Sequence, residues 1–214
     1  MATDRTHVRR QPTRGRYDAA SVRAVLDAGL FAHVAFVDDG QPYCIPMLHA
    51  RVGNDVYVHG SVGSRALRVL AAGVQACLTV TLLDGLVLAR SVFEHSANYR
   101  AAVVLGAFRH VEGDGERLAA LEAFTEKLVP GRWREVRGPN PNELRATSIL
   151  ALPLDEASVK ERTGPPSDGD SPDAALAVWA GVLPVRSVFG KPESAPEIPT
   201  GVELSPSVRR LLDV

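Results

Sequence analysis

Between Phe31 and Val111 the chain runs as short apolar stretches broken repeatedly by Asp, Asn and Gly. FAHVAFV stops at Asp38-Asp39-Gly40, PYCIPMLHARV stops around Gly53-Asn54-Asp55, and VYVHGS runs into a Gly/Ser turn. Turns this short join antiparallel neighbours, because a parallel pair needs a crossover of a dozen residues or more. The pattern therefore predicts a hairpin meander and argues against repeated βαβ units.

Helical segments interrupt the strands. Asp18 predicts an N-cap for a helix over 19–28, with Val22, Val25 and Leu26 on one face and Gly29 as its stop. A second helix follows Ser64, with Leu67, Leu70 and Ala71 on one face and Gly73 at its end. VQACLTVTLL returns as a strand and is expected to turn at Asp84-Gly85 into LVLAR. A polar loop from Phe93 to Asn98 leads into the long strand YRAAVVLGAFRHV. From Glu116 to Val129 the period becomes helical, with Leu118, Leu121, Phe124 and Leu128 on the apolar face. ATSILALPL reads as the last strand. The order suggests a mainly β fold, an antiparallel barrel with flanking helices. Residues 1–15 form a basic arm, 16–163 the folded domain, and 164–214 a C-terminal extension of loop and surface-running arm.

Composition narrows the function. The 214 residues are 45% hydrophobic, enough for a real core, and the net charge of -1 gives no footprint for nucleic acid. Arg5, Arg9, Arg10, Arg14 and Arg16 crowd the start with no apolar run behind them. A solvated, partly disordered arm is the expectation there, not a secretory signal. No stretch approaches the roughly 20 apolar residues of a membrane span. Cys44 and Cys77 sit in apolar runs outside any motif, so they are expected to be buried free thiols of a reducing, cytoplasmic environment. HExxH, CxxC and clustered carboxylates are all missing, so no metal site is expected. The Gly/Ser run lacks the spacing of a Walker loop, of GxGxxG and of a GxSxG nucleophile elbow.

The strongest chemical signal is DVYVHGSVGSRALRVL, residues 55–70. A strand, a Gly/Ser turn and a helix opening with arginines bring hydroxyl and guanidinium donors to one place, which suits a phosphate. Ser61, Ser64 and Arg65 are the candidate contacts. An ordinary Ser-capped helix with solvated arginines accounts for the same letters. His59 ends the strand beside the turn, as a structural histidine, a contact to a flavin edge or an axial haem ligand. Farther on, Asn98, Tyr99 and Arg100 open a buried strand, where an arginine needs a partner. Arg100 either bridges an acidic neighbour or lines a polar rim with the other two. Trp179, near a flexible tail, is plain packing or the wall of a site completed by a partner subunit.

Together, HVAFVDDGQPYCIPM, DVYVHGSVGSRALRVL, CLTVTLLDGLVLARSVFEHSANYRAAVVLGAF, ALPLDEASVKERTGPP and WAGVLPV resemble the flavin-binding split-barrel family related to pyridoxamine 5'-phosphate oxidase. The nearer branch is the flavin-nucleotide-binding, nitroimidazole-resistance-like one. The resemblance covers most of residues 16–185. It implies a six-stranded antiparallel Greek-key split barrel that works as a homodimer with FMN in grooves at the subunit interface. On this chain it places the phosphate at Ser61, Ser64 and Arg65. The isoalloxazine lies along the strand of Pro46 and Met47, with His59 near its edge. Asn98, Tyr99, Arg100 and Trp179 come from around the groove, some from the other subunit. The implied activity is an FMN-dependent oxidoreductase, moving hydride from a reduced nicotinamide or a small organic substrate. Haem binding or degradation, with His59 or His95 as ligand, is the alternative, as is a flavin carrier without turnover. Relatives with deazaflavin extend the cofactor range. The arginine- and lysine-rich strand pattern of true pyridoxamine phosphate oxidases is missing, which argues against that substrate.

Overall fold

The computed structural model describes residues 3–212. Asp18 caps α1 (Ala19–Ala28): its carboxylate accepts the Ser21 N–H at 2.8 Å and satisfies one free donor of the first turn. The expected face, Val22, Val25 and Leu26, is buried. β1 (Gly15–Arg16) precedes it. The meander follows as β2 (Phe31–Asp38), β3 (Gln41–Val52) and β4 (Asp55–Ser61). Gly40 and Gly53, at φ 75° and 60°, make the turns in a region most side chains avoid. β3 changes partner midway. Its first part lies on β2 up to Leu48, and its second part lies on β4 from His49 onward.

α2 (Arg65–Ala71) is capped by Ser64, whose hydroxyl accepts from the Leu67 N–H. β5 (Gln75–Leu88) and β6 (Ser96–Ala107) form the longest pairing in the sheet. Then come β7 (Arg109–His110), α3 (Asp114–Leu128), α4 (Pro141–Ala146), β8 (Thr147–Pro153), β9 (Glu156–Arg162), β10 (Gly181–Pro184) and α5 (Pro206–Leu212). The strand order is β1-β9-β6-β5-β2-β3-β4-β8-β7, with β10 on β5, and every pairing is antiparallel. Alternation along each strand builds the interior: Ala32, Val34 and Phe36 of β2, and Leu78 and Val80 of β5, meet α1 and α2 there. A second cluster lies on the other side of β3, β4 and β8, where Tyr57, Ile149 and Ala151 meet Ala120 and Phe124 of α3.

Several expectations are corrected. Asp84-Gly85 is no turn but a bulge within one strand, where the register slips between Leu83 and Gly85. The Arg100 guanidinium donates to both Asp84 oxygens at 3.0 and 2.7 Å and holds that residue against β6. ATSILALPL is not the last strand. β9 fills the place between β6 and β1, and β10 pairs with Gly85–Leu88 on the edge of β5 that β2 leaves at His33. On α3, Leu118 and Leu128 are exposed and the buried stripe is Ala120 and Phe124, since a small residue lets the helix lie close to the sheet. Cys44 is exposed and Cys77 half-buried, because their neighbours Tyr43 and Ala76 take the inward positions. The terminal arms are also built into the fold. Arg5 pairs with Glu156, Thr6 is buried, and Ser207 of α5 donates its N–H to Glu135 at 2.8 Å.

Candidate functional site

The β4–α2 turn is held by its own backbone. The N–H groups of Val62, Gly63 and Ser64 donate to the Ala146 carbonyl, the Ser61 hydroxyl and the Ser61 carbonyl. These three donors are therefore spent within the protein. The Ser61 hydroxyl and the Arg65 guanidinium are exposed, the Ser64 hydroxyl half-exposed, and a Cβ on Gly63 would meet only Ser61 Oγ at 3.6 Å. That open cradle with two hydroxyls and a guanidinium fits a phosphate group. Two further residues reach it that no local sequence signal announces. Arg65 stacks over the Tyr43 ring, 4.3 Å from its centroid, and lies 3.5 Å from Asp38 at the end of β2.

Pro46 and Met47 lie in β3 opposite His33 and Ala32, Pro46 exposed and Met47 turned into the core. His59 lies in β4 two residues before Ser61. Its ring packs edge-on against Phe124 at 4.3 Å under α3, and burial pushes its pKa down.

Asn98, Tyr99, Arg100 and Trp179 gather at the far end of β5. Buried Asn98 accepts from Arg162 Nη1 at 2.5 Å and donates to the Gly164 carbonyl. Tyr99 faces Leu83 and Arg162 across the two pairings of β6. Arg100 is paired with Asp84, so an acidic neighbour satisfies it. Trp179 remains exposed, just before β10. A strap beyond β9 is pinned here as well: buried Asp168 accepts from the Arg90 N–H and from Arg90 Nη1. No local pattern marks Arg162 or Asp168, because their partners lie far along the chain.

The two groups of candidate residues are separated within one chain. Phe36, near the cradle, sits level with Ala76, and Asn98 sits level with Gly85, nine residues farther along β5. At the rise of a strand this is about 30 Å. One chain therefore does not close a single site around all of them.

A third cluster is buried between α1, β3 and α3. Lys127 Nζ donates to the Leu26 carbonyl at 2.8 Å and lies 2.9 Å from His49 Nε2. Burial, then the Lys127 charge, pushes the His49 pKa down to about 4, and burial pushes Lys127 down to about 8. This cluster ties helix ends together rather than opening to a ligand.

Among the described residues no helix is long and apolar enough to cross a membrane. The pyridoxamine 5'-phosphate oxidase family model matches residues 18–161, and the chain belongs to that family. Its fold, a mainly β antiparallel sheet with flanking helices, matches the split-barrel structures of that class. The flavocytochrome Anf3 of Azotobacter vinelandii is 38% identical, with 98% of this chain and 97% of that one covered and a TM-score of 0.90. The FAD and haem binding protein of Mycobacterium smegmatis is 41% identical, with 92% and 97% covered and a TM-score of 0.88. A proposed 5-nitroimidazole antibiotic resistance protein of Bacteroides thetaiotaomicron shares the fold at 18% identity, with 68% and 85% covered and a TM-score of 0.58. No curated protein matches.

Proposed function

We propose that this protein is a flavocytochrome-type redox protein, binding FAD and haem in a homodimer and passing electrons between them. One observation carries the reading: two solved structures, 38% and 41% identical over nearly the whole chain, are a flavocytochrome and an FAD and haem binding protein. The expected FMN is replaced here by FAD on that ground. Hydride donation by a reduced nicotinamide or a small organic substrate is retained as the flavin's half of the reaction. A six-stranded Greek-key barrel core is the scaffold we assign to it.

When bound, flavin supplies two-electron and haem one-electron chemistry. The chain supplies positioning. Ser61, Ser64 and Arg65 hold a flavin phosphate, and the β3 backbone at Pro46 and Met47 lies along the ring. Asn98, Tyr99 and Arg100 come from the other subunit, which answers the separation of the two groups along β5, and Trp179 at the same end of β5 is left to the haem. His59, packed against Phe124, has a structural role in this proposal. Exposed Cys44 and half-buried Cys77 are free thiols, in keeping with a reducing compartment such as the cytoplasm.

The test is an absorbance spectrum of the purified protein, with released cofactors identified by mass. FAD together with haem is the expected result; a preparation that takes up only one of the two overturns the proposal. The Ser64→Ala/Arg65→Ala variant places the phosphate. It should weaken flavin binding by about 2–4 kcal/mol, the loss of charge-assisted hydrogen bonds, while keeping haem. Unchanged flavin affinity would move the phosphate elsewhere.

A further inference from the structure

The six histidines differ in what their ring nitrogens face. His49 is 1% exposed with Nε2 against Lys127 and the Leu26 carbonyl, and His59 lies under Phe124. His7 stacks on Tyr17. Among the described residues no hydrogen bond orients His33 or His110. His95 is exposed and its ring is fixed by a hydrogen bond: its Nδ1 lies 2.8 Å from the Ser91 carbonyl. A carbonyl only accepts, so Nδ1 carries the hydrogen and Nε2 keeps its lone pair. An imidazole oriented by a carbonyl at one nitrogen and open at the other is what a metal ion takes as a ligand.

The surroundings are apolar and uncovered. Val92 and Phe93 are 92% and 89% exposed, and Trp179 is 66% exposed. The register brings them to one place. Val87 faces Ser96 on β6 and Leu88 faces Gly181 on β10, so His95 and Gly181 flank the end of β5 from either side. Two strand spacings separate them, about 10 Å, the scale of a porphyrin. The Trp179 indole folds back over Gly181, where an added Cβ would meet it at 2.9 Å. Side chains this apolar and exposed at one end of the sheet call for an apolar partner.

We propose that His95 is an axial ligand of the haem, through Nε2, with Val92, Phe93 and Trp179 packed against the porphyrin. This rests on the flavin-and-haem reading and adds the place and the ligand. The experiment is titration of haemin into the full-length protein, read by absorbance and by electron paramagnetic resonance of the ferric state. Wild type, His95→Ala, His95→Met and His33→Ala are compared, with flavin content and thermal unfolding as the check on folding. His95→Ala should lose the histidine-ligated spectrum and bind haem at least tenfold more weakly, and added imidazole should restore the spectrum. His95→Met should keep haem with an altered spectrum, and His33→Ala should match wild type. If wild type binds haem and both His95 variants keep its spectrum, the ligand assignment falls and the flavocytochrome reading stands. If wild type takes up no haem, both fall.

Discussion

His49 links burial to a measurable property. The folded protein resists its protonation until about pH 4, whereas an unfolded chain protonates this ring near 6.5. Below 6.5 the unfolded state thus binds a proton that the folded state refuses, and stability falls as the pH drops toward 4. At pH 5 the loss is about 2 kcal/mol relative to pH 7.5. Lys127 shifts in a higher window, above about pH 8, and leaves this slope alone. Urea unfolding at the two pH values should show the loss in the native sequence and a flatter response in His49→Gln; the same response in both proteins would assign it to other groups. Single residues were legible in the sequence when they act on their own segment. Asp18 and Ser64 cap the helices that follow them, Asp18 as its position predicts and Ser64 in one of the two roles its position leaves open. The pairs Asp38 with Arg65, Asn98 with Arg162 and Arg90 with Asp168 exist only because the sheet brings distant segments together, so no local pattern marks them.

Elements were legible in proportion to their apolar contrast. β2 and β3 end at Asp/Gly turns and the pattern locates them; β5 is located too, but the expected turn at Asp84-Gly85 falls inside it. β9 buries only Ala157, Ser158, Val159 and Arg162, so EASVKER carries a weak pattern although the strand lies between two others. α4 did carry a signal: Asn140 and Glu143 form a reciprocal capping box, with Pro141 at the first helical position. The bulge at Gly85 depends on β10, which sits on that stretch. A Cβ at Gly85 would come within 3.0 Å of Val182 Cγ1 and 3.1 Å of the Leu183 carbonyl oxygen. Gly85→Ala should therefore lift β10 from β5. Limited proteolysis should then cut between residues 177 and 190 faster than in the native protein, while the melting temperature changes little. Equal cleavage rates would show that β10 tolerates the added methyl group.

At the scale of the molecule, the outward face of β2 leaves Phe31 and Val37 more than half exposed. With the candidate residues split between two ends of the sheet, the proposed dimer gives this face a role: it is covered by a second copy. Phe31→Asp combined with Val37→Asp should halve the mass measured by sedimentation and lower the flavin content. A wild-type protein that sediments as a monomer would remove the dimer. The fold as a whole was more legible than the site, since alternation and turns specify an antiparallel sheet, while the groups that would meet a cofactor are assembled by register between distant segments and, in the proposed dimer, by a second copy. The Arg65–Asp38 contact bears on how the cradle would meet a phosphate. At 3.5 Å between partly exposed side chains it leaves the guanidinium its charge and holds that charge beside the turn, over the Tyr43 ring. The arginine is thus in place before a ligand arrives, so a phosphate bound there would cost little ordering of this long side chain.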